Sequence, residues 1–279
     1  MQHLKTVFII LGIALVFFPQ CVLSHDYRPK SEFRGYENID DIRLYYEVHG
    51  DGEPLLLLHG GMVSGAESWS RVLPLLPKGF KIIIPDSREH GRSTGSEKVI
   101  DYELLTENIV ELLDKLEINK AHVVGWSDGG VIGLNMAIRF PDRIDKLVTY
   151  GANYHFSGIP KKARKEFRKI SAETRPKWIA DITYLNIAPD PSKMGSMIEK
   201  VVNMWLTEPK WKIKDLAKID TPVLILEDQR GGAIKPSHTQ QMADSIKGAK
   251  LILIPGTDHL APQTKAKDFT KYVTDFLKN

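Results

Sequence analysis

Ala121-His122-Val123-Val124-Gly125-Trp126-Ser127-Asp128-Gly129-Gly130 is the stretch whose reading decides the fold. Its first four residues form an apolar run that reads as a short buried strand. Gly130 to Ile138 reads as a helix. Between them lies Gly125-x-Ser127-x-Gly129, and strand, sharp turn, helix is the setting in which that pattern presents a nucleophilic serine. The turn is strained, so its flanking positions call for glycine, because a side chain there would clash with neighbouring backbone. Such a turn lifts the Ser127 hydroxyl above the sheet edge, where a substrate carbonyl can reach it.

Working outward, apolar runs alternate with helical patterns. Arg43 to Val48 alternates like a strand. Leu55–Leu58, Lys81–Pro85, Lys146–Tyr150, Pro222–Leu226 and Lys250–Ile254 are near-continuous Val/Ile/Leu runs. Such runs are what strands covered on both faces look like in a parallel sheet. Tyr102, Leu105, Ile109, Leu112, Leu113 and Leu116 have helical spacing, and the segments 239–246 and 266–277 are similar. The alternation predicts an α/β fold, a doubly wound, mostly parallel open sheet. Ligands in such sheets bind at the carboxyl ends of the strands. From about Asn153 to Leu216 no strand-like run occurs, and Trp178, Tyr184, Met194, Met197, Met204, Trp205 and Trp211 are scattered through helical patterns. The expected organisation is therefore a core of residues 25–152 and 217–279 with a helical lid inserted at 153–216. The Met/Trp-rich side chains would either line an apolar substrate pocket or pack the lid on the body.

A serine hydroxyl needs a base within hydrogen-bond reach, and the base needs a partner that holds its tautomer. His259, in Gly256-Thr257-Asp258-His259, follows the last strand-like run and lies C-terminal to Ser127, the order expected of this motif. It is the expected base. His122 lies inside a strand and reads as core. His49, His90, His155 and His238 fall on loops or helix starts, where solvated histidines are normal. The acid should follow the Pro222–Leu226 strand, where Glu227 and Asp228 are the only carboxylates. Asp228, placed just past the strand end, is the first choice and Glu227 the alternative. Attack on a carbonyl creates an oxyanion that requires preorganised N–H donors. One is the backbone N–H of Asp128. The other comes from His59-Gly60-Gly61-Met62, at Gly61 or Met62.

The chain has 279 residues, 26% charged and 42% hydrophobic, with a net charge of +3. That balance is ordinary for a soluble globular protein and too weakly basic to argue for nucleic acid. The basic stretch Lys161–Lys169 reads as a solvated helix face. Residues 1–24 differ: Val7 to Phe18 is an unbroken apolar core after a weakly positive start, and Pro19 and Gln20 break it. This pattern predicts a secretory signal peptide and hence a secreted or periplasmic protein. The apolar core is shorter than the roughly 20 residues of a membrane-spanning helix, and an uncleaved membrane anchor is the alternative. Cys21 is the only cysteine, so a mature chain starting after Ser24 would have no disulfide, thiol chemistry or cysteine-ligated zinc.

His59-Gly60-Gly61, Pro85 to Ser93, Gly125 to Gly130 and Gly256 to His259 together resemble the α/β-hydrolase fold family. The Gly-Trp-Ser-Asp-Gly-Gly form is similar to that of valacyclovirase-type (biphenyl-hydrolase-like) esterases with a lid. The resemblance runs from about Arg43 to Leu277. It implies Ser127 as nucleophile, His259 as base, the amides of Gly61 and Asp128 as oxyanion hole, a small-molecule ester as substrate, and neither cofactor nor metal. Two departures stand out. Glu89 replaces the first glycine of the relatives' Asp-Ser-Arg-Gly-His-Gly-Arg-Ser. Gly231 occupies the place, five residues before Pro236, where relatives carry the acid. Loss of that acid would leave a feeble enzyme or a non-catalytic binding protein. Haloperoxidase-like or lactonase activity would use the same three groups. A haloalkane dehalogenase would need a carboxylate where Ser127 stands.

Overall fold

The computed structural model describes residues 32–175 and 187–279. The expected signal segment, residues 1–24, lies outside the described residues, as do Trp178 and Tyr184 of the expected lid. Among the described residues, no helix is long and apolar enough to cross a membrane.

Eight strands form one sheet: β1 (Phe33–Ile39), β2 (Ile42–His49), β3 (Glu53–Leu58), β4 (Phe80–Pro85), β5 (Ala121–Trp126), β6 (Ile144–Tyr150), β7 (Val223–Asp228) and β8 (Lys250–Ile254). Their order across the sheet is β1-β2-β4-β3-β5-β6-β7-β8. β2 alone runs against the others, pairing antiparallel with β1 and β4; β3 to β8 are mutually parallel. The exposed edge strand β1, absent from the sequence reading, has an alternating half-exposed pattern and lacks the apolar continuity of the others.

The apolar runs explain themselves in the packing. Side chains alternate across a strand, so Leu56 and Leu58 enter one core while Leu55 and Leu57 enter the other. The first core is closed by α2 (Tyr102–Lys115) and α3 (Asp128–Arg139) through Leu105, Ile109, Leu112, Val131 and Leu134. The second is closed by α1 (Gly65–Trp69) and the C-terminal helix (Ala266–Lys278) through Trp69, Phe269, Val273 and Leu277. Helices on both faces define the doubly wound architecture. Helix α2 begins where Asp101 accepts the Leu104 N–H at 2.8 Å, satisfying a free N-terminal amide.

Between β6 and β7 the described α-helices are α4 (Lys161–Phe167), α5 (Met194–Thr207) and α6 (Ile213–Leu216). The basic stretch forms α4, which buries only Ala163. Met194, Met197 and Met204 of α5 are buried in the first core, so these methionines pack the segment on the body. After β7 come α7 (Pro236–Ser245), then α8 (Ala261–Thr264) and α9 (Ala266–Lys278) beyond β8.

Candidate active site

The carboxyl end of β5 leads into α3 through a single residue, Ser127, with φ 55° and ψ −118°. A non-glycine residue held there stores on the order of 1–3 kcal/mol of strain. Its neighbours permit the turn only without side chains. A Cβ on Gly125 would collide with the Gly129 carbonyl, and one on Gly129 with the Leu58 carbonyl. Ser127 is tied down by its N–H, which donates to the Tyr150 carbonyl at 2.7 Å. Its hydroxyl is half-buried and free of hydrogen bonds among the described residues.

The loop after β3 carries the second set of expected amides. His59 is buried, and its Nε2 accepts the Ser87 N–H at 2.8 Å. Nδ1 therefore carries the proton and donates to the Gly60 carbonyl at 2.6 Å. Burial pushes the His59 imidazole down to about 3, so the ring stays neutral. With the Gly60 carbonyl held to the ring, the trans peptide turns the Gly61 N–H to the opposite side. Gly61 lies against Asp128 and Trp205: a Cβ there would strike the Asp128 carboxylate. Met62, the alternative donor, is buried at φ 63°.

His259 sits in the loop after β8. Its ring packs on Gly151, the residue after the Tyr150 that holds Ser127. Tyr150 stacks beside it at 6.3 Å between centroids, and Trp126 Nε1 donates to the His259 carbonyl at 2.8 Å. Tyr150 also donates its hydroxyl proton to the Asp258 carbonyl. These contacts come from β5 and β6, so the histidine loop is fastened to the strands flanking the serine turn. Burial lowers His259 to about 4, and the neighbouring Asp258 carboxylate opposes part of that shift. Nδ1 is buried without a hydrogen-bond partner, and no hydrogen bond joins the ring to Ser127.

Asp228 is the last residue of β7 rather than the first residue beyond it. The strand extends because Glu227 and Asp228 pair in register with Leu253 and Ile254 of β8. The Gly231 N–H donates to Asp228 Oδ1, while Oδ2 is buried without a partner. Gly231 has φ 61°, a left-handed turn that suits glycine. Burial raises the Asp228 carboxyl. Glu227 alternates away: its Oε2 accepts from Thr239 on α7 at 3.1 Å and its Oε1 from the Asp228 N–H at 3.1 Å. Burial raises the Glu227 carboxyl too. Both carboxylates raise the neighbouring Tyr150 hydroxyl, behind the effect of its own burial. Asp228 and His259 thus flank the same tyrosine, and each carries one buried atom with no partner.

Two groups, one at the turn and one against the loop after β4, have no signal in the sequence. The Asp128 carboxylate, whose position after the serine drew attention only for its amide, is buried. It accepts from Tyr102 of α2 at 2.9 Å and from Trp205 of α5 at 3.0 and 2.9 Å. Burial raises its carboxyl against the pull of those two donors. The second is Lys200 of α5, which ion-pairs with buried Glu89 at 2.5 Å and also donates to the Ser96 carbonyl. Glu89 sits at φ 69°, in the left-handed region that favours glycine. Partners 26 to 111 residues apart in sequence leave no local pattern to read.

The expected solvated histidines need correction. His49 ends β2, and it, His90 and His238 are buried. The His90 ring lies with its centroid 5.2 Å from that of His59, and its Nδ1 is 2.8 Å from the Arg88 carbonyl oxygen. Since a carbonyl only accepts, His90 Nδ1 is the donor. His238 stacks on Tyr154 at 4.0 Å and accepts its N–H at 3.2 Å. Only His155 remains half-exposed. Pro85 to Ser93 folds inward around buried Asp86, which accepts from the Gly65 and Arg92 amides at 2.7 and 2.8 Å.

The chain is similar to known proteins over most of its length. It is 25% identical to the serine hydrolase BPHL of Homo sapiens, across 86% of this chain and 84% of that protein. It is 26% identical to the 2-hydroxy-6-oxo-6-phenylhexa-2,4-dienoate hydrolase of Comamonas testosteroni, across 87% of this chain and 93% of that one. The crystal structure of the enol-lactonase from Burkholderia xenovorans LB400 superposes with a TM-score of 0.71 at 21% identity, covering 88% of this chain and all of that chain. Residues 53–211, more than half of the chain, match the profile of the alpha/beta hydrolase fold. With the eight-stranded, mostly parallel sheet and the serine turn at its carboxyl edge, the chain belongs to the α/β-hydrolase fold family and is a hydrolase of that type.

Proposed function

We propose that this protein is a serine hydrolase that cleaves small carboxylic esters through an acyl-enzyme. The observation that carries the reading is Ser127 at φ 55°, ψ −118° with the His259 ring packed on Gly151 beside it. Ser127 Oγ attacks the ester carbonyl carbon, and its proton passes to His259 Nε2. The tetrahedral oxyanion lies against the N–H groups of Asp128 and Gly61. Collapse breaks the bond to the alcohol, which leaves with the proton from His259. Water, deprotonated by the same ring, then attacks the acyl carbon and restores Ser127. Asp228 is the proposed acid: its unpartnered Oδ2 is the acceptor that the unpartnered His259 Nδ1–H requires. Their contact forms by side-chain adjustment on substrate binding, when catalytic hydrogen bonds tighten. Residues 1–24 are proposed to export the chain.

Ser127→Ala is expected to abolish hydrolysis of p-nitrophenyl acetate and butyrate. Retained turnover would refute the assignment. Asp228→Asn should lower kcat by orders of magnitude while leaving the fold intact, since a neutral partner holds the wrong histidine tautomer. A change of less than a few-fold would remove Asp228 from the mechanism. The partnerless His259 Nδ1 and glycine at position 231 favour one second reading, a binding protein on a hydrolase scaffold. Fluorophosphonate labelling separates the two, because only an activated serine reacts quickly. A panel that includes lactones tests the breadth of the substrate class.

A further inference from the structure

At the opposite edge of the sheet from Ser127, three side chains converge from neighbouring strands. Glu53 is the first residue of β3, and His122 and Asp145 are the second residues of β5 and β6. One potential ligand atom from each lies within 4.8 Å of the other two. His122 stands five residues before Ser127 on β5, which places the cluster about 17 Å from the serine at the usual strand rise.

His122 is the informative member. It is 2% exposed, and neither ring nitrogen makes a hydrogen bond. Its Nε2 lies 2.9 Å from Glu53 Oε1, close enough for an ion pair but out of line for an N–H bond. A buried imidazole normally satisfies at least one nitrogen. Here the ring is set edge-on to Phe80 with centroids 6.2 Å apart, and one of its nitrogens lies within 4.8 Å of carboxylate oxygens of both Glu53 and Asp145. Those carboxylates are partly exposed, at 56% for Glu53 and 36% for Asp145, which leaves an entry path from solvent.

We propose that Glu53, His122 and Asp145 bind a first-row divalent cation of the zinc class. Imidazole nitrogen with carboxylate oxygen is a donor set suited to such ions. Metal–ligand distances of about 2.0–2.2 Å allow cis ligands about 3 Å apart, the spacing of His122 Nε2 and Glu53 Oε1. Asp145 closes the remaining gap by rotation of its exposed carboxylate. Lys120 Nζ, 3.1 Å from Asp145 Oδ1, is the present counter-charge; an exposed lysine pair is weak and yields to a divalent ion. Bound there, the cation ties together the amino ends of three adjacent central strands. It has no part in the chemistry at Ser127.

The test is Zn2+ titration of the EDTA-stripped full chain by calorimetry, with thermal melting in parallel. One Zn2+ per chain and a raised Tm are expected, with affinity falling at least tenfold in Glu53→Gln and in Asp145→Asn. Co2+ should give a visible ligand-field spectrum that His122→Gln removes. If His122→Gln fails to fold, the two exposed-carboxylate variants decide alone. No saturable uptake up to millimolar Zn2+, or uptake unchanged in the Glu53→Gln/Asp145→Asn double variant, overturns the proposal. Ester turnover is read separately, so loss of the serine mechanism and loss of the metal site are distinguishable.

Discussion

At the scale of single residues, the site is governed by how far each titratable group has been taken out of water. Desolvation disfavours charge, so His259 is lowered to about 4 and His59 to about 3, while Asp128, Asp228 and Glu227 are raised. A base works only when unprotonated. With the ring's proton affinity lowered, the neutral form persists below the ordinary histidine value of about 6.5. The acid limb of kcat/KM for p-nitrophenyl acetate is therefore expected between pH 4 and 6.5, with activity falling as pH drops through it. A limb at pH 7 or above would show instead that a carboxylate partner outweighs burial at His259.

At the scale of elements, α5 is attached to the serine turn by Trp205, whose single N–H reaches both oxygens of the Asp128 carboxylate. The same helix carries Lys200 to Glu89. Both contacts join a segment inserted after β6 to loops at the carboxyl ends of β4 and β5. Trp205→Phe keeps an aromatic ring beside Phe167 but removes the donor, leaving a buried carboxylate oxygen unpaired. The expected loss is about 1–3 kcal/mol of stability, read as a lower urea midpoint at unchanged m-value. An unchanged midpoint would mean that Asp128 Oδ2 finds water in its place. The methionines of this helix were legible as apolar, with pocket lining and packing on the body both left open; their burial in the first core selects packing. Their partners lie on the body, and spacing within one helix carries no information about what faces it.

At the scale of the whole molecule, Arg88 joins parts of the chain that no local pattern connects. Its side chain is fully buried. It donates to Asp40 and Asp41 in the β1–β2 turn at 2.8 and 2.6 Å, to Ser96 at 2.8 Å and to Asn108 of α2 at 2.9 Å. This fork holds Asp41 well below its usual range, chiefly through the hydrogen bond from Arg88. It also fastens the antiparallel edge hairpin to the parallel body. A lysine keeps the charge but cannot serve four acceptors in a planar fork. Arg88→Lys is expected to cost roughly 1–3 kcal/mol, measured by urea unfolding. The value sits below that of a fully buried pair because Asp40 and Asp41 are about a third exposed. A loss below about 0.5 kcal/mol would show that the hairpin docks without the fork.

The amino-acid sequence alone determined the parallel sheet, its two-sided cover and the strained serine turn. Each depends on short-range rules: apolar runs that must be buried on both faces, helical spacing, and glycines at Gly125 and Gly129 where a Cβ collides with backbone. It also put Ser127 and His259 at carboxyl strand ends, since each directly follows a readable strand. Only the tertiary structure decided the burial of His49, His90 and His238, the engagement of Asp128 by Tyr102 and Trp205, and the meeting of Glu53, His122 and Asp145. These arise where strands and loops distant in sequence are brought side by side. Desolvation and hydrogen-bond pairing are properties of that meeting and are not encoded in the spacing along any one segment.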